Sequence, residues 1–124
     1  MTIMLSRTAV RRGETIDGVL VAENRSNDQV DITHPSSCPI SFGLYRDGNL
    51  VGGTTPVACA QETQFDHLGA RETRRWSFTL DTFAYASDPR PPLAPGTYQA
   101  DAGVDVEDSG TWYARELAVE VLSS

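Results

Sequence analysis

The sequence predicts an all-β, immunoglobulin-like sandwich of two antiparallel sheets with about eight strands, formed as a single domain over residues 1–124. Hydrophobic and polar residues alternate with period two in successive segments, as in strands with one buried face. Turn sequences containing glycine or proline separate these segments. No window of a dozen residues supplies the spacing of an amphipathic helix well. These observations favour layered sheets, and 124 residues is an ordinary length for one domain.

Strand segments and turns follow one another along the whole chain. The alternation is clearest in 71–81, where Trp76, Phe78 and Leu80 share one face. Asp47-Gly48 is the strongest hairpin signal, because glycine adopts a positive φ without steric cost. Segment 59–68 has two interpretations, a short strand or an irregular crossover. We expect strands near 2–10, 15–24, 28–34, 39–46, 49–58, 71–81, 97–106 and 111–122.

Composition excludes several classes of function. The net charge is −7, which disfavours nucleic acid and anionic membrane surfaces as partners. All 10 basic residues are arginine, so Schiff-base chemistry and a P-loop lysine are excluded. No apolar stretch approaches the roughly 20 residues of a membrane helix. The N-terminus lacks the pattern of a secretory signal, so the protein is either cytoplasmic as written or extracytoplasmic with its leader removed.

The two cysteines, Cys38 and Cys59, are predicted to form a disulfide. Their flanking residues resemble segments that enter and leave one hairpin, which makes a bridge geometrically plausible. The closed loop of about 22 residues would stabilise the fold by roughly 3 kcal/mol. The alternative is a pair of reduced, half-buried thiols in a cytoplasmic protein. A metal site is not expected, because the paired C-x2-C spacing of zinc sites is absent.

The sequence offers little for catalysis, and we expect neither an enzyme nor a cofactor. The only histidines are His34 and His67, and there is no G-x-S-x-G nucleophile elbow. We interpret both histidines as polar loop residues. Together with Asp66 they would still lack a third zinc ligand.

One acidic cluster has the oxygen ligands that calcium prefers. Its spacing does not match an EF-hand loop, and an acidic solvent-facing strand that ends in a hairpin explains the same residues. No metal is therefore predicted, although calcium binding is left open. The cluster consists of Asp101, Asp105, Glu107 and Asp108.

Three local features have a structural and a functional interpretation. Asn24-Arg25-Ser26 is a formal glycosylation sequon, but a turn between strands is favoured. Trp76 alternates in phase with neighbouring core residues, so core packing is favoured for it. Trp112 follows a turn beside Tyr113, and we predict that it is a surface aromatic available to a partner.

The proline-rich segment 86–96 is the most suggestive stretch for binding. Its four prolines make it stiff, and a stiff loop loses little entropy when it docks. Arg90 is expected at the tip as a directional hydrogen-bonding group. The alternative is a connection between sheets in which proline merely blocks edge pairing. The candidate binding residues are Asp88, Pro89, Arg90, Pro91 and Pro92, together with Trp112.

Several pieces, in order, resemble the BsuPI-type intracellular proteinase inhibitor family of bacterial β-sandwich proteins. The matching stretches are 19–26, 29–32, 42–48, 68–73 leading to Trp76, and 94–98. The family typically shows a Trp-rich segment and a Phe soon after its Asp-x-x-Gly turn, whereas residues 49–53 here differ. The resemblance implies an immunoglobulin-like fold and proteinase inhibition, presented by loop 86–96 or hairpin 47–59.

Two hypotheses of function follow. The first is a non-enzymatic protein-binding module, in one version a proteinase inhibitor acting through an exposed loop. The second is a structural or surface domain that self-associates or pairs through a sheet edge.

Overall fold

The computed structural model describes residues 1–54, 59–85, 89–107 and 110–123, and across these residues it contains strands and no helix. None of its elements is a helix long and apolar enough to cross a membrane. The eleven strands are β1 (Thr2–Leu5), β2 (Ala9–Arg11), β3 (Ile16–Glu23), β4 (Val30–His34), β5 (Ile40–Arg46), β6 (Asn49–Gly52), β7 (Gln64–Leu68), β8 (Thr73–Leu80), β9 (Gly96–Val106), β10 (Gly110–Tyr113) and β11 (Leu117–Leu122).

The strands form two main sheets and a separate two-stranded ribbon. One sheet has the order β1-β3-β8, and the other has the order β2-β11-β9-β5-β6, with β10 also paired to β9. Among the residues that the structure describes, the β4–β7 ribbon shares no strand ladder with either sheet. Every ladder is antiparallel except that between β2 and β11, which is parallel. The predicted all-β, immunoglobulin-like class is confirmed.

The strand count of the described residues differs from the expected eight because two predicted strands are divided and segment 59–68 contains β7. The first predicted strand, 2–10, is divided into β1, which pairs with β3, and β2, which pairs with β11. The chain therefore passes from one sheet to the other. The chain over 111–122 is interrupted between β10 and β11, both of which pair with β9. The first division follows from a change of pairing partner, which period-two alternation does not reveal.

The core lies between the two sheets, as the alternation predicts. Ile16, Leu20 and Leu80 of the three-stranded sheet are 0% exposed. They face Leu44 and Val119 of the other sheet, which are also 0% exposed. Phe42 and Phe78 stack with ring centroids 5.1 Å apart. The predicted core packing of Trp76 is confirmed, because its partly buried side chain lies against this core.

The entry into β9 is fixed by a tyrosine corner. The Tyr98 hydroxyl donates a hydrogen bond to the Ala94 carbonyl at 2.5 Å, an arrangement found in immunoglobulin-like sandwiches. The Arg46 guanidinium lies 4.1 Å from the centroid of the Tyr98 ring. Gly96 has a φ of 148°, and an added Cβ would lie 2.5 Å from Arg46 Nη2. The turn before β9 therefore needs both its glycine and its tyrosine.

Asn24 joins the turn after β3 to the end of β7. Its buried amide donates hydrogen bonds to the carbonyls of Asp28, Leu68 and Gly69 at 2.7, 3.2 and 3.0 Å. Its carbonyl oxygen accepts hydrogen bonds from the backbone N–H and the hydroxyl of Ser26. The turn interpretation of the sequon is confirmed, because every polar atom of this amide is used inside the fold.

The predicted disulfide between Cys38 and Cys59 is confirmed, with the two Cα atoms 5.7 Å apart. It joins the chain leaving β4 to the chain entering β7, and so closes one end of the β4–β7 ribbon. Beside it, the Ser37 N–H donates to the Ala60 carbonyl at 3.1 Å, and the Ala60 N–H donates to the Ser37 hydroxyl at 2.9 Å.

Removing this bridge is expected to destabilise the protein. The double variant Cys38→Ser/Cys59→Ser should lose about 3 kcal/mol of unfolding free energy, because the unfolded chain regains loop entropy. Urea denaturation followed by circular dichroism measures the loss, and the wild type kept reduced should match the variant. Equal stability of the oxidised wild type and the double variant would contradict a stabilising role for the bridge.

Candidate functional site

The proline-rich segment lies beside residues 82–84, and this stretch in turn lies beside β6. The Ala84 N–H donates to the Pro91 carbonyl and the Leu93 N–H to the Thr82 carbonyl, each at 2.8 Å. Isolated bridges pair Phe83 with Pro92 and Gly52 with Ala84. The segment belongs to the connection from β8 of one sheet to β9 of the other, as the alternative of a connection between sheets predicts. Asp88 and the rest of 86–88 lie outside the described residues.

Arg90 does not lie at an exposed tip, and that prediction was wrong. Its side chain is only 13% exposed. Nη1 and Nη2 donate to the two carboxylate oxygens of Asp81 at 2.8 and 3.0 Å. The guanidinium also donates to the carbonyls of Thr54, Phe83 and Ala84 at 3.0, 3.1 and 2.9 Å. The guanidinium of Arg90 lies inside the fold because one carboxylate and three carbonyls accept hydrogen bonds from its planar set of donors. Arg90 thus anchors the segment to the sheet edge.

Trp112 is exposed, as predicted, and stands at the mouth of an apolar cleft. Its side chain is 40% exposed. Because Trp112 pairs with buried Val104 across the β10–β9 ladder, it projects from the inner face of the sheet. The opening there has a volume of about 350 Å³. We name it the Trp cleft and define it by Trp76, Trp112, Val30, Ile32, Leu68 and Val104.

Three structural units contribute to the Trp cleft. Trp76 comes from β8, Val104 from β9, and Ile32 and Leu68 from the β4–β7 ribbon. Its rim also contains Glu23 and Arg25, whose exposed side chains form an ion pair at 3.5 Å. An apolar interior with a polar rim is the usual form of a binding site.

The ribbon wall of this cleft is held by Arg74. Its guanidinium donates to Asp66 Oδ2 at 2.5 Å, to Glu72 Oε2 at 2.9 Å and to the His67 carbonyl at 2.9 Å. Burial opposes ionisation of Asp66, but the hydrogen bonds from Arg74 and from the His67 N–H outweigh it and lower the pKa of Asp66. The ion pair therefore connects β7 of the ribbon to the start of β8.

A second, polar pocket lies on the outer face of the six-stranded sheet. It has a volume of about 590 Å³. We name it the tyrosine pocket and define it by Tyr45, Gln99, Asp101, Tyr113 and Glu116, with the Asp47-Gly48 turn at its border. Tyr45 lies opposite Gln99 in the β5–β9 ladder. Sequence reasoning missed this pocket.

Two ionisable groups of the tyrosine pocket have raised pKa values. Burial and the negative charge of Glu116 raise the pKa of Asp101. Burial, the neighbouring Tyr113 phenol and the Asp101 carboxylate raise the pKa of Tyr45. Of the described residues that line this pocket, none is basic.

The members of the predicted acidic cluster lie in different surroundings. The Asp105 carboxylate accepts from the Ser41 hydroxyl at 3.0 and 2.8 Å and from the Thr111 hydroxyl at 2.8 Å. Asp101 lies in the tyrosine pocket, Glu107 is exposed, and Asp108 lies outside the described residues. Over the part of the chain that is described, no group of three or more His, Cys, Asp or Glu side chains is placed to hold a metal ion.

The expectation of polar loop histidines was wrong, because both residues lie in strands. His34 is 3% exposed, and its Nδ1 donates to the Asp105 carbonyl at 2.9 Å. Its Nε2 lies 3.9 Å from Asp66 Oδ2 and has no hydrogen-bond partner. His67 is exposed and pairs with Asp31 in the β4–β7 ladder, on the opposite face of the ribbon from Asp66. The two histidines therefore do not converge with Asp66 on one site.

Similarity to known proteins is confined to the fold. No protein-family model and no curated protein matches the sequence. A β-glucosidase from Erythrobacter marinus matches with a TM-score of 0.57 and 14% identity over 98% of this chain. A β-glucosidase from Listeria innocua in complex with glucose matches with a TM-score of 0.52 and 16% identity over 96%. The chain spans only 15% of each glucosidase.

A match of comparable length is the CARDB domain of a Pyrococcus furiosus protein, solved in complex with di-metal ions. It has a TM-score of 0.50 and 17% identity, and the match covers 99% of this chain and 93% of that chain. These identities support a shared sandwich architecture and do not transfer a site or an activity.

Loss of Arg90 is expected to reduce stability. Arg90→Ala leaves the Asp81 carboxylate and three carbonyls without these donors, so unfolding free energy should fall by about 3 kcal/mol. Arg90→Lys should recover only part of it, because an ammonium cannot form the same fork. Thermal and urea unfolding measure both variants. Wild-type stability of Arg90→Ala would contradict an anchoring role for Arg90.

The contribution of Asp66 should depend on pH. Because its folded pKa lies below the unfolded value of 3.8, its stabilisation is present above that value and is lost as pH falls through the folded pKa. Asp66→Asn should therefore be less stable than wild type near neutral pH, and the difference should shrink in acid. Urea unfolding across this range tests it, with Asp31→Asn on the exposed outer face of the ribbon as control. A difference that is constant with pH would contradict the assignment.

Proposed function

We propose that this chain is a non-enzymatic protein-binding module whose Trp cleft receives an apolar side chain of a partner. The observation that carries the proposal is Trp112, 40% exposed at the mouth of an apolar cleft of about 350 Å³. Tryptophan is enriched at the energetic centres of protein interfaces, because it buries a large rigid surface at low entropy cost.

The wall of the Trp cleft is held by several contacts, which favours a binding site over a gap left by imperfect packing. Its ribbon wall is tied at one end by the Cys38–Cys59 bridge and at the other by the Asn24 amide. Arg74 fixes the same wall to β8. A wall held at several points loses little conformational freedom when a ligand enters, which favours affinity.

The non-enzymatic part of the proposal is supported by the positions of the histidines. His34 is buried, and its Nδ1 donates a hydrogen bond to the Asp105 carbonyl. His67 lies on the outer face of the ribbon. Neither side chain lines the Trp cleft or the tyrosine pocket.

Proteinase inhibition is a second candidate, supported by the resemblance to the BsuPI-type family and by the anchoring of the proline-rich segment. The Asp81–Arg90 pair and the Phe83–Pro92 bridge hold both flanks of 86–88. Inhibitory loops need such rigid supports. The contact residues would be the exposed Pro89, Pro91 and Tyr85, with Arg90 as a support. Assays against subtilisin-type proteases test this candidate.

The cleft proposal can be tested with displayed peptides, because no partner needs to be known. Random dodecapeptides selected on the wild type should share an aromatic or aliphatic anchor. Trp112→Ala should weaken the selected peptides about 30-fold, which corresponds to about 2 kcal/mol for a central interface tryptophan. Fluorescence anisotropy measures the affinities.

Tyr85→Ala is the matched control, because Tyr85 is an exposed aromatic at 48% outside the cleft. It should leave the affinities within about twofold. Peptides that bind wild type and Trp112→Ala equally well, or a selection without any cleft-dependent binder, would overturn the proposal.

A further inference from the structure

We propose that the tyrosine pocket is a binding site for a guanidinium group, presented as an arginine side chain by a partner or as a small guanidine. The pocket lies on the outer face of the six-stranded sheet, while the Trp cleft opens from its inner side. Its occupancy therefore does not depend on the function proposed for the cleft.

The first support is the form of the pocket. It is a cavity of about 590 Å³ with two tyrosines and an amide among its lining residues, in which Asp101 is partly buried while Asp47 and Glu116 are exposed. Tyr45 is half-buried and Tyr113 is 54% exposed. Aromatic faces attract cations through the ring quadrupole, and they stack well on the flat guanidinium.

The second support is an excess of negative charge within that cavity. Asp47, Asp101 and Glu116 contribute carboxylates, and the described lining residues include no arginine to balance them. Burial and Glu116 raise the pKa of Asp101, so the ionised carboxylate is less favourable there than in water. A bound cation would relieve that disadvantage.

Two arginines of the same chain show each half of this recognition chemistry. The Arg46 guanidinium lies 4.1 Å from the Tyr98 ring centroid. The Arg90 guanidinium forms a fork with the Asp81 carboxylate at 2.8 and 3.0 Å. The tyrosine pocket combines an aromatic face and a carboxylate in one cavity. A guanidinium suits it better than an ammonium, which is more strongly hydrated and does not present a planar fork.

Titration with small probes tests the site in the intact protein. The probes are acetyl-Gly-Arg-Gly-amide, its citrulline counterpart, its lysine counterpart and agmatine. Amide chemical shifts should move at Gln99, Asp101 and Tyr113 with the arginine peptide. The citrulline peptide, which has the same shape without the charge, should bind at least about tenfold more weakly. The lysine peptide should be intermediate.

Agmatine distinguishes the sources of the guanidinium. Binding as tight as that of the arginine peptide indicates a small-molecule ligand, and clearly weaker binding indicates a peptide partner. Either result supports a site that binds a guanidinium group.

Two variants separate a specific pocket from the general negative field of the protein. Asp101→Asn should weaken the arginine peptide about tenfold, because it removes the partly buried carboxylate. Asp17→Asn changes the net charge equally, but Asp17 lies on the three-stranded sheet, so its effect should stay within about twofold. Tyr113→Leu should also weaken binding, and thermal unfolding confirms that each variant is folded.

The proposal is overturned by equal binding of the arginine and citrulline peptides, or by equal effects of Asp101→Asn and Asp17→Asn. It is also overturned if the chemical-shift changes lie outside the pocket, for instance only at the acidic turn near Glu107.

Discussion

The β4–β7 ribbon is the part of this molecule on which the arrangement of its surfaces depends, because it pairs by a strand ladder with neither sheet. Side-chain contacts and a few backbone contacts must therefore hold it in place. The Asn24 amide holds one end of the ribbon to the turn after β3, and Arg74 ties the middle to β8. The Cys38–Cys59 bridge cross-links the two chains of the ribbon at its other end. These contacts also decide the width of the Trp cleft, since Ile32 and Leu68 form its ribbon wall.

The short strand β10 supplies both candidate sites because neighbouring residues of a strand point to opposite faces. Trp112 pairs with Val104 and projects into the Trp cleft, whereas Tyr113 pairs with Gly103 and lies at the outer pocket. A partner that approached the β9–β10 hairpin would therefore meet an apolar site on one side and an acidic aromatic site on the other. The two sites differ in the chemistry that they favour, so variants can separate them.

Structural neighbours share the architecture of this chain at 14–17% identity. The sandwich is a scaffold that supports many functions, and the sites are set by side chains on its surfaces. Function must therefore be argued here from the particular residues of the cleft and the pocket.

The sequence by itself predicted the all-β class, most strand positions, the disulfide, the core packing of Trp76 and the exposure of Trp112, because alternation and turn chemistry are local properties of the chain. Only the tertiary structure decided that Arg90 points inward, that His34 is buried, and that Tyr45 and Tyr113 meet. Arg90 binds a carbonyl 36 residues away, and His34 binds one 71 residues away. No local pattern encodes such pairings, since they depend on which strands become neighbours and in which register.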